Sequence, residues 1–235
     1  MRIKVLFAVG AFTLAALSTM TAKADSVVYN NDFGGVISGD NMNEDGWSVL
    51  GGAWAVSDSF SLSTTTDLTG VNLLMWEGAG DSLTGLTWTI VDNGNPTDPF
   101  AGASGVTTIA SGTVTPGDTL LTTNSYGFDI DEISFNITTP ALTAGTTYWL
   151  EISGVTTALS GNAFWDQSDG AGSEAWQTDF GSNLYQLPDG AQCNGACTGS
   201  ESFELLAGGS VPEPGSMALL GGGLIGLAAL RRRKR

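Results

Sequence analysis

Residues 86–90 are Leu-Thr-Trp-Thr-Ile, and the turn-forming residues Asp92-Asn93-Gly94 follow shortly after them. Apolar and polar side chains alternate along this run, and successive side chains of a β-strand point to opposite faces of its sheet. An Asn-Gly pair after such a run is a strong turn signal. The stretch therefore predicts a half-buried strand that ends at a turn.

Similar short runs recur along the chain, separated by loops rich in Gly, Pro, Asn and Asp. Long helical periodicity is missing, so about ten short strands favour an all-β fold. We predict a single antiparallel β-sandwich of jelly-roll-like type. The runs that support this prediction are residues 59–63, 71–76, 86–90, 109–114, 126–130, 133–137, 147–152, 163–165 and 202–206.

The alternation changes phase by one residue between Ile130 and Ile133. A shift of one residue moves every following side chain to the other face of a sheet. We therefore expect a turn or a β-bulge between these two residues, which would restore the inward face.

The first 24 residues have the three zones of a secretory signal peptide. Arg2 and Lys4 form a positive start, an apolar run follows from residue 5 to residue 17, and Ala22-Lys23-Ala24 is the small-x-small pattern that signal peptidase requires. The apolar run is too short for a permanent membrane span. We therefore predict a signal peptide over residues 1–24 and a single exported domain over residues 25–210.

The last 25 residues also have three zones, Val211-Pro212-Glu213-Pro214, an uncharged and mostly apolar segment 215–230, and Arg231-Arg232-Arg233-Lys234-Arg235. As a helix the middle segment would be about 24 Å long, and basic side chains that snorkel can extend its reach. This pattern predicts a transmembrane helix. The basic cluster should stay in the cytoplasm, which leaves the bulk of the chain outside.

The order of these three zones resembles the PEP-CTERM sorting signal, whose tail is also labelled an ice-binding-protein C-terminal domain. The resemblance implies that an exosortase, a membrane-embedded cysteine-peptidase-like enzyme, recognises the tail and cuts near the motif. It also implies a Gram-negative bacterium that makes exopolysaccharide and biofilm. The expected route is an inner-membrane-anchored intermediate and then the cell surface or the extracellular matrix.

The middle of the chain resembles a jelly-roll-like ectodomain that is common in PEP-CTERM proteins. The matching runs are Val56-Ser57-Asp58-Ser59-Phe60, residues 86–90, Ala144 to Ile152, and Ser202-Phe203-Glu204-Leu205. This resemblance covers roughly residues 55–206. It implies a role at the surface and assigns no catalytic residues.

The charged residues are segregated along the chain. All 8 lysines and arginines lie within residues 1–24 and 231–235, so residues 25–230 contain no basic side chain, and the chain has no histidine among its 235 residues. Nucleic-acid binding, Ser-His-Asp or Cys-His catalysis and His/Cys zinc sites all lack the residues they need. We therefore expect no nucleic-acid partner and no enzymatic activity, and a fold held by apolar burial and hydrogen bonds.

Asn41, Asn43 and Asp45 place oxygen side chains at positions 1, 3 and 5 of a calcium-loop pattern, with Gly46 at position 6. The twelfth position would be Gly52, where an EF-hand requires glutamate, so the segment is not an EF-hand. It is either an Asx-rich loop or a turn that supplies oxygen ligands to Ca²⁺.

Asp129 and Asp131 would lie on one face of a strand, opposite Phe128 and Ile130. Two carboxylates on one face suit a hard cation such as calcium. The alternative is a solvated outer face. The domain has no basic side chain of its own to offset its acids. A structural calcium ion, at this pair or at Asn41, Asn43 and Asp45, is therefore the one cofactor that the sequence suggests, beside the two alternatives without an ion.

Trp165 and Trp176 lie in or beside an acidic, glycine-rich loop. They either pin this loop to the core or form a platform on which sugar rings stack. The second reading makes the domain a carbohydrate-binding module.

Cys193 and Cys197 lie in the sequence Cys-Asn-Gly-Ala-Cys. An exported protein meets an oxidising environment, which favours a disulfide that closes this small loop. A redox-active CxxxC pair is the alternative, but no nearby cation lowers a thiol pKa there.

Taken together, these patterns predict an exported, exosortase-sorted protein of the cell surface or exopolysaccharide matrix, with a structural and non-enzymatic role. The first alternative is a carbohydrate-binding module of the matrix, which could depend on calcium. The second is a glycoside hydrolase that uses two of the many carboxylates.

Overall fold

A computed structural model describes residues 25–31, 33, 46–167, 173–180, 183–187 and 199–208. All of them belong to a compact unit, Asp25–Gly209. Four predicted features lie outside the described residues. They are the signal peptide 1–24, the sorting tail 211–235, the pair Cys193 and Cys197, and the candidate calcium ligands Asn41, Asn43 and Asp45. No helix within the described residues is long and apolar enough to cross a membrane.

The described residues form thirteen β-strands and a single 3₁₀ turn, Gly51–Ala53. The predicted all-β class is therefore confirmed. The strands are β1 (Asp25–Asn31), β2 (Gly46–Ser48), β3 (Ala55–Ser61), β4 (Gly70–Gly78), β5 (Leu83–Asp92), β6 (Thr108–Val114), β7 (Gly117–Thr123), β8 (Phe128–Asn136), β9 (Thr147–Thr157), β10 (Ala163–Asp166), β11 (Ala175–Thr178), β12 (Leu184–Gln186) and β13 (Phe203–Gly208).

Strand β4 is the centre of a seven-stranded sheet. Along one edge it pairs with β8 over its whole length, and β7 lies beyond β8. Along the other edge it pairs first with β13 and then with β10, which are flanked by β1 and β2 respectively. The order of the second, six-stranded sheet is β12-β11-β3-β9-β5-β6. The strands within each sheet pair antiparallel, as predicted.

The main core contains apolar side chains from both sheets. Phe60 of β3 and Phe203 of β13 meet across it, with ring centroids 6.5 Å apart at near-perpendicular planes. Burial of such side chains is the main stabilising contribution in a domain whose residues 25–230 include no basic side chain for an ion pair. Other fully buried members are Val56, Leu73, Met75, Ile90, Ile133, Leu150, Ile152 and Leu205.

A second apolar cluster lies on the opposite face of β4 and β8. It contains Leu74, Trp76 and Ile130, with Phe128 and Phe164 packed against them. The nine residue pairs between β4 and β8 run without a register shift. The predicted turn or bulge between Ile130 and Ile133 is therefore wrong, because β8 buries both of its faces and each isoleucine belongs to a different cluster.

The loop that follows β5 covers the outer face of the six-stranded sheet. The predicted turn begins here, since Asp92 accepts hydrogen bonds from the backbone amides of Gly94 at 3.1 Å and Thr107 at 2.9 Å. The Trp149 indole donates to the side-chain oxygen of Asn93 at 3.0 Å. The strand ends where the turn signal predicts, but the connection to β6 is a long covering loop.

Candidate functional site

Three carboxylates from three adjacent strands converge at one end of the inner face of the seven-stranded sheet. They belong to Glu77 of β4, Asp118 of β7 and Asp131 of β8, and one oxygen from each lies within 4.8 Å of the others. We call these three residues the carboxylate cluster.

The strand register explains the convergence. Asp131 is opposite Met75 in β4, and Glu77 is the next residue on the same face of that strand. Asp118 is opposite Ile133, the next residue on the same face of β8. Diagonal neighbours of this kind are close enough for long side chains to meet. Because Met75 and Ile133 are buried core residues, the carboxylate cluster continues the apolar inner face.

Glu77 is fully buried and Asp131 is 4% exposed. Neither oxygen of Glu77 accepts a hydrogen bond from any described residue. Burial raises the pKa of Glu77 to about 8, together with the smaller effect of the nearby charges of Asp118, Asp131, Asp81 and Asp129. Burial also raises the pKa of Asp131 to about 7, together with the charges of Asp118 and Asp129. The two groups are therefore poised near neutral pH.

Asp118 is half-buried and forms the outer side of the carboxylate cluster. Its Oδ2 accepts a hydrogen bond from the Leu83 amide at 2.7 Å. Burial raises the pKa of Asp118, and the charge of Asp81 acts in the same direction. The hydrogen bond from Leu83 lowers the pKa by less than burial raises it. This residue is the member of the cluster that solvent reaches.

Two further aspartates lie beside the cluster, and both have donors of their own. Asp129 accepts from the Gly80 amide at 2.7 Å and the Thr123 hydroxyl at 2.9 Å. Asp81 accepts from the amides of Leu159 at 2.8 Å and Gly161 at 3.0 Å. Desolvation acts to raise the pKa of Asp81, but the hydrogen bonds outweigh it and lower the pKa.

The sequence predicts that Asp129 and Asp131 share one face of a strand, and the structure gives their carboxylates different surroundings. Asp131 lies in the carboxylate cluster on the buried inner face, so the alternative of a solvated outer face is wrong for this residue. Asp129 points to the same face but lies outside the group of three. Sequence reasoning missed Glu77 and Asp118; the only signal was an acidic residue at the end of the apolar run Val71–Trp76.

A second set of acids is buried near the other edge of β4. Asp58, Asp166 and Glu201 all have no exposed surface. Asp58 Oδ2 accepts the Glu201 amide at 2.6 Å, and Asp166 accepts the Trp76 indole N–H. Burial raises the pKa of Asp58 and of Glu201 well above the ordinary range, in Glu201 together with the charges of Asp58 and Asp166. Burial thus favours the protonated form of both.

The two tryptophans that the sequence offers as a sugar platform differ in exposure. Trp165 is fully buried, its indole donates to the Ser202 carbonyl at 3.1 Å, and its ring packs edge-on against Phe203. It presents no ring face to a ligand, so the platform reading is wrong for Trp165, which belongs to the core. Trp176 is half-buried in β11, where it is paired with Ser57.

A different aromatic groove lies on the outer face of β4 and β8, and its volume is about 310 Å³. The Trp76 ring lies 6.0 Å from Tyr126 and 6.2 Å from Phe128, centroid to centroid. Tyr126 is 63% exposed. We call this the aromatic groove; its lining residues are Gly46, Trp76, Tyr126, Phe128 and Phe164.

A comparison with curated proteins gave no match to this chain. Residues 210–234 match the PEP-CTERM protein-sorting motif. This motif implies an exported protein that is first anchored in the membrane and then processed by an exosortase. The chain therefore carries a PEP-CTERM protein-sorting motif at its C-terminus.

Proposed function

We propose that this protein is a structural, non-enzymatic component of the cell surface or exopolysaccharide matrix of a Gram-negative bacterium, with a jelly-roll-like ectodomain. The observation that carries the proposal is the sorting motif at residues 210–234, which marks the chain for export and exosortase processing. The strongly acidic ectodomain supports it, because residues 25–210 contain 23 of the 24 acidic residues and no basic one, and a high net charge keeps an exported protein soluble and open to cations of the matrix.

The burial of the carboxylate cluster also supports a non-enzymatic role. A glycoside hydrolase needs two carboxyl groups that flank the scissile bond and contact the sugar. Glu77 has no exposed surface and Asp131 is 4% exposed, so a polysaccharide cannot reach either group without rearrangement of the sheet. The remaining member, Asp118, lacks an accessible partner within the cluster.

Fractionation of cells with and without the exosortase tests the sorting part of the proposal. In the parent strain the mature protein should be found at the surface or in the matrix. Without the exosortase, a longer form should accumulate in the inner membrane. Changing Pro212, Glu213 and Pro214 to alanine should cause the same longer form to accumulate in the inner membrane of cells that have the exosortase. The same distribution in all three strains would contradict exosortase sorting.

Biofilm assays test the structural part. A strain that lacks this protein should form a mechanically weaker matrix at an unchanged growth rate, and expression of the wild-type chain in that strain should restore the matrix. Purified protein should release no reducing ends from the exopolysaccharide. Release that Glu77→Gln abolishes would establish the hydrolase instead.

The aromatic groove favours a second candidate, a carbohydrate-binding module of the matrix. Exposed aromatic rings bind the apolar faces of sugars, and Tyr126 lies beside Trp76 at the open side of the groove. Glycan-array binding should be lost with Tyr126→Ala and kept with Tyr185→Ala, which removes an exposed ring outside the groove. Loss with Trp176→Ala alone would place the site at Trp176, and a repeat in EGTA would test calcium dependence.

A further inference from the structure

Glu77 has a carboxylate for which the described part of the protein provides no compensation. Its two oxygens are buried and accept no hydrogen bond from the described residues, and residues 25–230 contain no lysine, arginine or histidine to pair with it. An uncompensated charge in an apolar interior is strongly destabilising. Such a group must either hold a proton or share its site with a cation.

The cluster around Glu77 has the composition of a cation site. We propose that Glu77, Asp118 and Asp131 bind a calcium ion, which supplies the positive charge that the inner face of the sheet lacks. All three ligands are oxygens, which suit a hard cation, and carboxylates can bind calcium with one or both oxygens.

The spacing of the cluster fits calcium. Calcium–oxygen distances are about 2.3–2.6 Å, so two ligands on opposite sides of the ion are at most about 5 Å apart. The three oxygens lie within 4.8 Å of one another. Asp118 is half-buried, which leaves a route for the ion and for water molecules that complete its shell of about six to eight oxygens. Zinc is disfavoured, because none of the three is a nitrogen or sulfur ligand.

Asp81 and Asp129 are not counted as ligands, so the site has three protein carboxylates. Their oxygens already accept hydrogen bonds from backbone amides and from the Thr123 hydroxyl. They add negative potential around the cluster without a need to turn toward the ion. Their charge should raise the affinity for a divalent cation and should make binding weaker at high salt.

The bound ion would also secure the edge of the sheet. Among the described strands, β7 forms a ladder only with β8, although Asp118 also accepts the Leu83 amide of β5. The register of the β7–β8 ladder shifts between Leu120 and Thr122, and Leu120 is 59% exposed. Asp118 is on β7 and Glu77 is on β4, which does not pair with β7. A shared ion would therefore tie the edge strand to the centre of the sheet and slow its local opening.

Calorimetry and thermal melting of the full chain, purified in detergent, test the proposal. The protein is measured in EGTA and in calcium chloride. One calcium ion should bind per chain with a Kd of about 0.1–1 mM, the range of extracellular calcium modules. Calcium at about 100 times Kd should raise Tm by about 5–10 °C. Magnesium should give a smaller rise, because it keeps its water shell and requires a stricter geometry.

Matched variants separate this site from general screening of negative charge. Glu77→Gln should lose the calcium-induced rise in Tm and should melt at or above the wild-type Tm in EGTA at pH 7.5, because the amide has no charge to bury. Asp118→Asn, at a half-buried position, should weaken calcium binding at least tenfold. Asp67→Asn removes one exposed carboxylate outside the cluster and should keep the wild-type response.

Hydrogen exchange supplies a readout that screening alone would not move. Calcium should slow exchange at the amides of β7 in the wild-type chain and in Asp67→Asn, and should slow it much less in Asp118→Asn, whose site binds calcium at least tenfold more weakly. The proposal is overturned if calcium neither binds nor stabilises the wild-type chain. It is equally overturned if Glu77→Gln and Asp118→Asn keep the full response, which would place calcium elsewhere, for example at Asn41, Asn43 and Asp45.

Discussion

Glu77 and Asp129 are directly opposite each other in the ladder between β4 and β8, but their carboxylates have contrasting surroundings. Asp129 accepts two hydrogen bonds, from the Gly80 amide and the Thr123 hydroxyl. Glu77 accepts none from the described residues. Like charges at opposed positions of two strands destabilise a sheet. The ladder therefore concentrates unfavourable electrostatic energy at Glu77, and this residue should contribute strongly to the response of the domain to pH and to cations.

The raised pKa values of Glu77, about 8, and Asp131, about 7, predict that the calcium-free protein is less stable at alkaline pH. A carboxyl group with a raised folded-state pKa stabilises the fold fully only below its unfolded pKa, about 4, and this contribution is lost as pH rises through the folded pKa. In EGTA, Tm should fall by roughly 5–10 °C between pH 5 and pH 8.5. Glu77→Gln should flatten this dependence; a Tm that rises over this interval would contradict the prediction.

Asp58 predicts a difference between two substitutions at one buried position. Its Oδ2 accepts the buried Glu201 amide at 2.6 Å. Asp58→Ala leaves that amide without its acceptor and opens a small cavity, so it should destabilise the fold by about 2–3 kcal/mol. Asp58→Asn keeps an acceptor oxygen and removes the charge, so its effect should be smaller at pH 8 than at pH 5. Urea unfolding midpoints at both pH values measure this, and equal effects of the two variants would refute it.

Trp165 predicts a stability effect that a sugar platform would not produce. Its ring is fully buried and packs against Phe203. Trp165→Ala should cost about 3–5 kcal/mol, and Trp165→Phe should cost less because it keeps part of the ring volume. Trp176→Ala, at a half-buried position of β11, should destabilise the fold by less than Trp165→Ala. Chemical denaturation of the three variants tests this order. Wild-type stability of the Trp165→Ala protein would contradict the burial of Trp165 in the core.

Local alternation was sufficient to predict where most of the long strands lie. Residues 71–76 and 86–90 are within β4 and β5, and residues 147–152 begin β9. Strand β7 was missed because Gly117–Thr123 has one face open to solvent and little apolar alternation. The phase change after Ile130 predicts a turn or a bulge only if one face of the strand is buried, whereas β8 has apolar clusters on both sides.

The carboxylate cluster was only partly accessible to sequence reasoning. The spacing of Asp129 and Asp131 correctly places both on one face of a strand, since that depends on two neighbouring residues alone. Their burial depends on which strand lies alongside. Glu77 and Asp118 reach Asp131 through the pairing of β4, β8 and β7, and the register of distant strands is not encoded in local spacing. For a similar reason the sequence leaves Trp165 open between a core residue and a sugar platform, because loop composition does not reveal which ring enters the core.

The segregation of basic residues predicts an unusual resistance of the mature protein to trypsin. Trypsin cleaves after lysine and arginine, and all 8 of these residues lie within 1–24 and 231–235. If signal peptidase removes the first segment and the exosortase removes the tail, the remaining chain has no site for trypsin even when it is unfolded. Mature protein from the matrix should therefore keep its mass after denaturation and trypsin treatment, while a glutamate-specific protease, as the positive control, should fragment it. A loss of residues 231–235 to trypsin would show that the tail remains attached as an anchor after export.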